Sequence, residues 1–181
     1  KLAPGVTILE NILMGQIPKK AGIFVDRQAA LREAQAAIAK TGVEMDPYTL
    51  VGDLKAADQE IVAIAKALSK NAKLLILDEP TALLAEDDVQ RLFGILRDLA
   101  SKGVSVLYIS HRLEEIFEIC DRVTVLRDGN KIWTKSIGEI SKDQLIEAIA
   151  GSVHAEGDLY YETKVNQTLL KVVGLSRKPY Y

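Results

Sequence analysis

Residues Lys73 to Thr81 read Lys-Leu-Leu-Ile-Leu-Asp-Glu-Pro-Thr, and this stretch decides the fold that we expect for the chain. The four apolar residues Leu74 to Leu77 suit a short strand that is buried on both faces, as strands of parallel sheets are. Pro80 cannot donate to a sheet ladder, so the strand should end before it. The carboxylates of Asp78 and Glu79 then lie at the carboxyl end of the strand, where open α/β sheets bind their ligands.

An apolar strand followed by two acids looks like a Walker B element. In that interpretation Asp78 holds Mg²⁺, directly or through water, and Glu79 polarises the attacking water. Hard cations need oxygen ligands, and phosphoryl transfer needs an oriented nucleophile together with charge neutralisation. A buried strand followed by an acidic turn would produce the same pattern without any catalytic role, so both interpretations stay open at this point.

The composition describes an ordinary globular protein. The chain has 181 residues, which is enough for one full domain or for parts of two. A net charge of −2 does not indicate nucleic acid as a partner, and no apolar run is long enough to predict a transmembrane helix. Cys120 is the single cysteine, which excludes an internal disulfide. Because the first residue is lysine rather than methionine, we expect the chain to be a piece of a longer protein.

Helical patterns precede the first predicted strand. Thr7 is placed to cap a short helix that extends to Leu13, and Gly15 to Gly22 is typical of a loop. An alanine-rich helix is predicted over Asp26 to Lys40, and another over Ala56 to Lys70. The sequence therefore predicts a group of packed helices before any sheet.

The pattern after Glu79 predicts a parallel strand-helix-strand unit. The predicted elements are a helix over 86–102, a buried strand over 104–109, a short helix over 113–120, a hairpin with strands over 122–127 and 131–134, and a helix over 142–150 that Ser141 caps. Strands joined by a helix of this length pair in parallel. The hairpin, with Asp128-Gly129 at its turn, suggests an antiparallel extension of the sheet. Residues 152–168 have no clear period and are predicted to be a linker.

His111 follows the second apolar run, Val104 to Ile109, after a single intervening serine. Parallel strands end at the same edge of a sheet, so this imidazole should lie beside Glu79. A neutral imidazole can donate to a phosphate oxygen and also accept from water, which a lysine cannot do. A surface histidine in a strand-to-helix turn is the alternative, and the presence of Asp78 and Glu79 nearby favours the functional interpretation.

Four features occur in an order that resembles the nucleotide-binding subunits of ABC transporters. They are the helical segment, Leu-Lys-Ala-Ala-Asp-Gln-Glu at 54–60, Leu-Leu-Ile-Leu-Asp-Glu-Pro-Thr at 74–81 and Ile-Ser-His-Arg at 109–112. The resemblance covers about residues 1 to 175, and the phrase over 110–129 is most similar to sugar-import ATPases. Those proteins carry two nucleotide-binding domains in tandem and serve ribose, galactose and similar substrates.

The resemblance implies an α/β fold: part of a P-loop NTPase (ABC ATPase) core with parallel strands, joined to an α-helical subdomain. It assigns residues 1–70 to the helical signature subdomain and 71–151 to part of the RecA-like core. Residues 152–168 would be the linker and 169–181 the start of a second ABC domain. The helical subdomain would dock a permease, and the apolar residues between Pro4 and Leu13 would either make that contact or close the local core.

The resemblance also implies ATP and Mg²⁺ as cofactors. Asp78 would bind the metal, Glu79 would be the catalytic base and His111 the switch histidine. The place of the family's signature motif (Leu-Ser-Gly-Gly-Gln), which contacts the nucleotide across a dimer, is taken by a stretch of six residues: Leu54, Lys55, Ala56, Ala57, Asp58 and Gln59.

The sequence departs from the family pattern at several positions. Lys55 stands in place of the signature serine and Ala57 in place of the second glycine, although a hydroxyl and a bare backbone are what allow a helix N-terminus to approach phosphate closely. Ala85 replaces an aspartate of the interface loop. The chain contains no Gly-Lys dipeptide and hence no phosphate-binding Walker A loop. Family order would put that loop upstream of Lys1, and residues 1–181 by themselves are expected to be inactive.

The function expected from these observations is ATP hydrolysis that powers a sugar importer, at a dimer of nucleotide-binding domains. The expected partners are the permease subunits, an external sugar-binding protein through the complex and a second nucleotide-binding domain, with no nucleic acid. The expected location is the cytoplasmic face of the cell membrane. A degenerate regulatory domain that does not hydrolyse ATP is the first alternative, and an ABC protein acting in translation or repair is the second.

Overall fold

The computed structural model describes residues 1–20 and 24–151, so the predicted linker at 152–168 and second-domain start at 169–181 lie outside the described residues. The helices are α1 (Ile8–Ile12), α2 (Arg27–Ala39), α3 (Ala56–Ser69), α4 (Glu86–Ser101), α5 (Leu113–Ile119) and α6 (Lys142–Ala150). The strands are β1 (Lys19–Lys20), β2 (Phe24–Val25), β3 (Leu74–Asp78), β4 (Ser105–Ile109), β5 (Arg122–Arg127) and β6 (Asn130–Ser136). None of the described helices is long and apolar enough to cross a membrane.

The first helices begin where polar side chains cap them. The Thr7 hydroxyl accepts from the backbone N–H of Glu10, and the Glu10 carboxylate accepts from the backbone N–H of Thr7. Asp26 caps α2 by accepting from the N–H of Ala29. Such bonds satisfy free amides of a first helical turn, which is why these helices start as the sequence predicts.

Helices α1, α2 and α3 share one apolar core. Ile8, Ile12 and Leu13 are at most 1% exposed and pack against the small side chains of α2. Ile8, Ile12 and Leu13 therefore close the local core, and the permease contact predicted for the segment between Pro4 and Leu13 stays a prediction. The structure also corrects the loop predicted over Gly15 to Gly22, because Lys19–Lys20 pairs antiparallel with Phe24–Val25.

Helix α3 joins that core to the sheet. Val62 and Ala65 face α1 and α2, whereas Ile61, Ile64 and Leu68 pack with β3 and α4. A helix that is apolar on more than one face is buried between two layers. The mixed α/β fold class with parallel strands is confirmed, and the boundary at residue 70 between two subdomains stays a prediction.

Strands β3 and β4 are parallel and are connected by helix α4, as predicted. The prediction that β3 is buried on both faces is wrong for the described residues. Leu75 and Leu77 are buried under α3 and α4, while Leu74 and Ile76 on the other face are 54% and 61% exposed. In the described part of the chain this sheet has two strands and packs its helices on one face only, so side chains alternate between core and surface. Strand β4 alternates in the same way and is not fully buried.

Strands β5 and β6 form an antiparallel hairpin whose turn is made by Asp128 and Gly129. Both residues have positive φ angles, 52° and 76°, which is the conformation that a tight hairpin turn requires. The predicted antiparallel extension of the parallel sheet is wrong, because β5 pairs only with β6 in the described structure. A third apolar cluster covers this hairpin with α5 and α6, centred on Ile116, Val125 and Leu145.

Phe93 of α4 offers a test of the packing between helix and sheet. Its side chain is fully buried and contacts the Tyr108 ring edge-to-face, with 6.0 Å between ring centroids. Phe93→Ala is expected to lower the free energy of unfolding by about 3–5 kcal/mol, because the substitution removes buried apolar contacts and leaves a cavity. Urea unfolding of the chain measures this change. Phe24→Ala is the matched control, because the Phe24 side chain is 72% exposed and surface substitutions usually stay within about 0.5 kcal/mol. Equal losses in the two variants would contradict the packing described here.

Candidate functional site

The parallel register of β3 and β4 brings two sets of polar residues to one edge of the sheet. Asp78 is paired with Ile109, and the backbone N–H of Glu79 donates to the carbonyl of Ile109 at 2.9 Å. The chain leaves both strands at the same level, so the turn containing Glu79 lies beside the turn containing His111. This is the edge at which parallel sheets of open α/β proteins hold their ligands.

Glu79 and His111 are in direct contact. The Nδ1 atom of His111 lies 2.8 Å from Oε1 of Glu79. The two side chains are 48% and 71% exposed, so the pair is open to solvent and to a ligand. An ionised carboxylate can only accept a hydrogen bond, so Nδ1 of His111 carries a hydrogen and donates it to Glu79. The other ring nitrogen, Nε2, can then bond to another group. The arrangement provides a carboxylate that can take a proton, with a second polar group fixed beside it.

The backbone of Glu79 is held in an uncommon conformation. Its φ angle is +48°, in the left-handed region that residues with a Cβ seldom adopt. Such strain persists only where surrounding contacts over-determine it, and it clusters at functional sites. Pro80 and Thr81, the next residues along the turn, are buried.

Asp78 is the residue best suited to a metal ion. It ends β3 and is exposed, and none of the ion pairs in the described ranges engages its carboxylate. The described residues contain no cluster of three or more metal-ligating side chains. One or two carboxylates that act together with substrate phosphates are the usual protein contribution to a Mg²⁺ site, so the oxygen donors of this edge fit that ion.

The start of α3 lies next to this edge. Ala56, Gln59 and Glu60 line an open cavity of about 230 Å³ together with Asp78 and Glu79. His111 does not line that cavity. Glu60 is the third acid in the cavity wall, with Asp78 and Glu79. Partial burial raises the pKa of its carboxyl. Glu60 belongs to the stretch at 54–60 that resembles the signature motif, but no role of its own was predicted for it, because nothing in the residue pattern indicates that its carboxyl is partly buried.

The remaining residues of the 54–59 stretch have different surroundings. Lys55 is exposed at the N-cap of α3, and no side-chain hydrogen bond caps that helix. The Leu54 carbonyl accepts from the Gln59 amide at 3.0 Å. Ala57 is buried, and Asp58 forms an ion pair with Arg91 of α4 at 2.9 Å. The structure therefore brings Ala56 and Gln59 to the cavity and directs Ala57 and Asp58 to contacts within the chain.

A buried carboxylate lies beneath the pair of Glu79 and His111. Glu115 of α5 is 4% exposed, and its Oε2 atom accepts hydrogen bonds from three hydroxyls, those of Thr81, Tyr108 and Ser110. Burial raises the pKa of the Tyr108 phenol, with the neighbouring carboxylate acting in the same direction. The sequence did not indicate this cluster, because Glu114 and Glu115 are adjacent and nothing in the residue pattern tells which of them is buried.

Comparison with protein families gives a match for the first part of the chain. Residues 1–82 match the family model described as ABC transporter. A ribose import ATP-binding protein of Rubrobacter xylanophilus is 46% identical over 178 residues, covering 97% of this chain and 35% of the relative. A putative ribose/galactose/methyl galactoside import ATP-binding protein of Burkholderia ambifaria is 45% identical, with 97% and 34% coverage. The chain thus spans about a third of the length of the curated relatives that it matches.

Solved structures with the same fold are ATP-binding cassettes. A putative metal-chelate type ABC transporter in an inward-facing conformation superposes with a TM-score of 0.70 at 19% identity, covering 83% of this chain and 60% of that chain. The dimeric cassette MJ0796, bound to ADP and Pi, superposes with a TM-score of 0.60 at 21% identity, with 76% and 59% coverage. At these identities the likeness establishes the fold alone.

Proposed function

We propose that this chain, whose residues 1–82 match the family model described as ABC transporter, is part of the ATPase subunit of a sugar importer. The relatives named as ribose or ribose/galactose importers support a sugar as the transported substrate. The proposed reaction is hydrolysis of the terminal phosphate of ATP, with the released free energy driving transport.

The proposal that this site hydrolyses ATP rests on the contact between Glu79 and His111. Phosphoryl transfer depends mainly on positioning and on charge stabilisation, and it needs one group that orients the attacking water. In the proposed mechanism the Glu79 carboxylate accepts a hydrogen bond from that water and takes its proton. The His111 ring, held at 2.8 Å from Glu79 through Nδ1, would donate from Nε2 to an oxygen of the γ-phosphate, which requires a hydrogen on both ring nitrogens.

Asp78 would hold Mg²⁺ in this mechanism. The metal would neutralise charge on the phosphate oxygens when it is bound. The exposed carboxylate at the end of β3 supports that assignment, since Mg²⁺ prefers oxygen ligands.

The 54–59 stretch is proposed to contact the nucleotide of a second nucleotide-binding domain. The first turn of α3 presents free backbone amides, and helix N-termini favour phosphate. Ala56 and Gln59 line the cavity beside Glu79, which supports their assignment to this surface. Lys55, exposed at the N-cap, would supply a positive charge where relatives of the family present a serine hydroxyl.

The proposed partners are the permease subunits, an external sugar-binding protein that acts through the complex, and a second nucleotide-binding domain. The proposed location is the cytoplasmic side of the membrane, with the helical part of the chain next to the permease. Apolar side chains exposed on that part support such a contact; they are Met14, Ile17, Phe24, Val25 and Tyr48.

A regulatory domain without hydrolysis is the second candidate. Lys55 and the missing side-chain cap of α3 favour it, because both alter the helix end that should close over the nucleotide. The two candidates predict different results for ATP hydrolysis by the complete polypeptide that contains these residues.

The proposal is tested by sugar uptake and ATP hydrolysis. We expect the purified complete polypeptide to hydrolyse ATP only when Mg²⁺ is present. We expect a strain that lacks the gene to lose uptake of one labelled pentose or hexose, and an intact gene copy to restore it. Hydrolysis without any uptake defect would point to a non-transport ATPase, and binding of ATP without hydrolysis would point to the regulatory candidate.

A further inference from the structure

Glu115 is a buried carboxylate whose two oxygens have different partners. Its Oε2 atom lies 2.8 Å from the Thr81 hydroxyl, 2.7 Å from the Tyr108 hydroxyl and 3.1 Å from the Ser110 hydroxyl. Its Oε1 atom lies 2.7 Å from Nη1 of Arg112, an ion pair whose angles do not fit an aligned hydrogen bond. A carboxylate is seldom buried unless a cation and several donors compensate for the lost water, and here both are present.

Three of the four partners of Glu115 come from the two turns of the candidate site, and the fourth, Tyr108, lies in β4. Thr81 follows Glu79 by two residues, and Ser110 and Arg112 directly flank His111. The Ser110 hydroxyl also accepts from the backbone N–H of Arg112 at 3.0 Å, which fixes the backbone on either side of the histidine. One carboxylate on α5 therefore ties the turn after β3 to the turn after β4.

The exposed side chains of Glu79 and His111 have little packing of their own to hold them. About half of the Glu79 side chain and more than two thirds of the His111 side chain are exposed. The positive φ angle of Glu79 also needs support from the residues around it. The links to Glu115, of which the bond from Thr81 is buried and the bond from Ser110 is partly buried, supply that support to both turns.

We infer that Glu115 is a positioning residue for ATP hydrolysis, which holds Glu79 and His111 in contact by joining their turns through Thr81, Ser110 and Arg112. It touches neither the nucleotide nor the water itself. The inference rests on the proposed function, because Glu115 can position groups for hydrolysis only if ATP is hydrolysed at this edge of the sheet. The contact between Glu79 and His111 can nevertheless be measured without turnover.

The test uses Glu115→Gln in the complete polypeptide that contains these residues. The amide keeps the shape of the side chain and loses the charge that pairs with Arg112. We expect kcat for ATP hydrolysis to fall at least about tenfold, with KM for ATP within about twofold, because binding contacts are retained while the alignment of the pair is lost. Glu114→Gln is the matched control: the adjacent side chain is 77% exposed and pairs with Lys142, so we expect wild-type kcat and KM.

Tyr108→Phe is a second control within the same cluster. It removes one hydroxyl from the same carboxylate but alters neither turn, so we expect reduced stability with kcat within about twofold of wild type. Thr81→Val and Ser110→Ala should each lower kcat, and each should add little in the Glu115→Gln background, because residues of one network are not independent. A tenfold loss in Tyr108→Phe as well would mean that Glu115 acts only through stability, and would overturn the inference.

Nuclear magnetic resonance of labelled histidine separates this inference from the proposed function. The ring signals of His111, identified by their absence in His111→Ala, should shift in Glu115→Gln and stay unchanged in Glu114→Gln. Unshifted signals in a folded Glu115→Gln protein would overturn the inference whatever the rate of hydrolysis. If the wild-type protein does not hydrolyse ATP, the proposed function fails, and a shift of these signals still establishes that Glu115 positions the pair.

Discussion

Glu79→Gln is expected to lower ATP hydrolysis at this site by roughly 10²- to 10⁴-fold, the range that removal of a general base usually produces. The glutamine amide has the size of the carboxylate but cannot take a proton from water. ATP binding should be preserved, because Glu79 is proposed to act on the water and not on the nucleotide. The measurement is single-site hydrolysis by the complete polypeptide, with any second nucleotide site inactivated first, and separate titration with a fluorescent ATP analogue.

Two controls make the Glu79 result interpretable. Glu44→Gln removes an exposed carboxylate from the loop between α2 and α3 and should leave the rate unchanged. Thermal unfolding should be nearly the same for both variants, since about half of the Glu79 side chain is exposed and Glu44 is exposed. A Glu79→Gln protein that binds ATP and hydrolyses it at the wild-type rate would disprove the assignment of Glu79 as general base.

Most helices and strands could be predicted because their ends are marked by local chemistry. Thr7, Asp26 and Ser141 bond to the first turns that follow them, as their positions before apolar repeats predict. Asp128-Gly129 likewise predicts a turn, and the positive φ angles of both residues explain why. These signals depend on a few neighbouring residues, so a single sequence contains them.

Features that depend on distant residues were not predictable in the same way. The apolar run of β3 does not tell which of its faces a neighbouring layer covers, and Ile76 is exposed although it lies between two buried leucines. Nor does the hairpin pattern of β5 and β6 tell whether another strand joins it. Both outcomes depend on which elements come together in the fold.

The candidate site was predictable only where its residues mark strand ends. Asp78 and Glu79 follow one apolar run and His111 another, so a parallel sheet places them at one edge, and the structure has Glu79 and His111 in contact. Glu115 does not follow a strand, so no comparable sequence signal points to it. Its side chain is 5% exposed, whereas that of the adjacent Glu114 is 77% exposed, because Glu115 lies on the side of α5 that faces Thr81 and Tyr108. The roles of all these residues in hydrolysis remain proposals.

His111→Ala is expected to reduce hydrolysis by roughly 10²-fold, the effect of removing one donor that stabilises charge in a transition state. The loss should appear in kcat, because the proposed contact with the γ-phosphate strengthens as negative charge redistributes during transfer. The free energy of unfolding should change by less than about 0.5 kcal/mol, since the imidazole is 71% exposed. The measurement is steady-state hydrolysis of ATP across a range of ATP concentrations, with urea unfolding of the same preparations.

The double variant tells whether His111 and Glu79 act together. Two groups that contact each other at 2.8 Å and serve one step should not contribute independently, so adding His111→Ala to Glu79→Gln should cost far less than it does in the wild-type protein. His111→Gln should recover part of the rate, because its amide donates a hydrogen bond but cannot also accept one at the same atom. If the two substitutions instead multiply their separate effects, the side chains act on different steps, and the 2.8 Å contact is structural and not part of the mechanism.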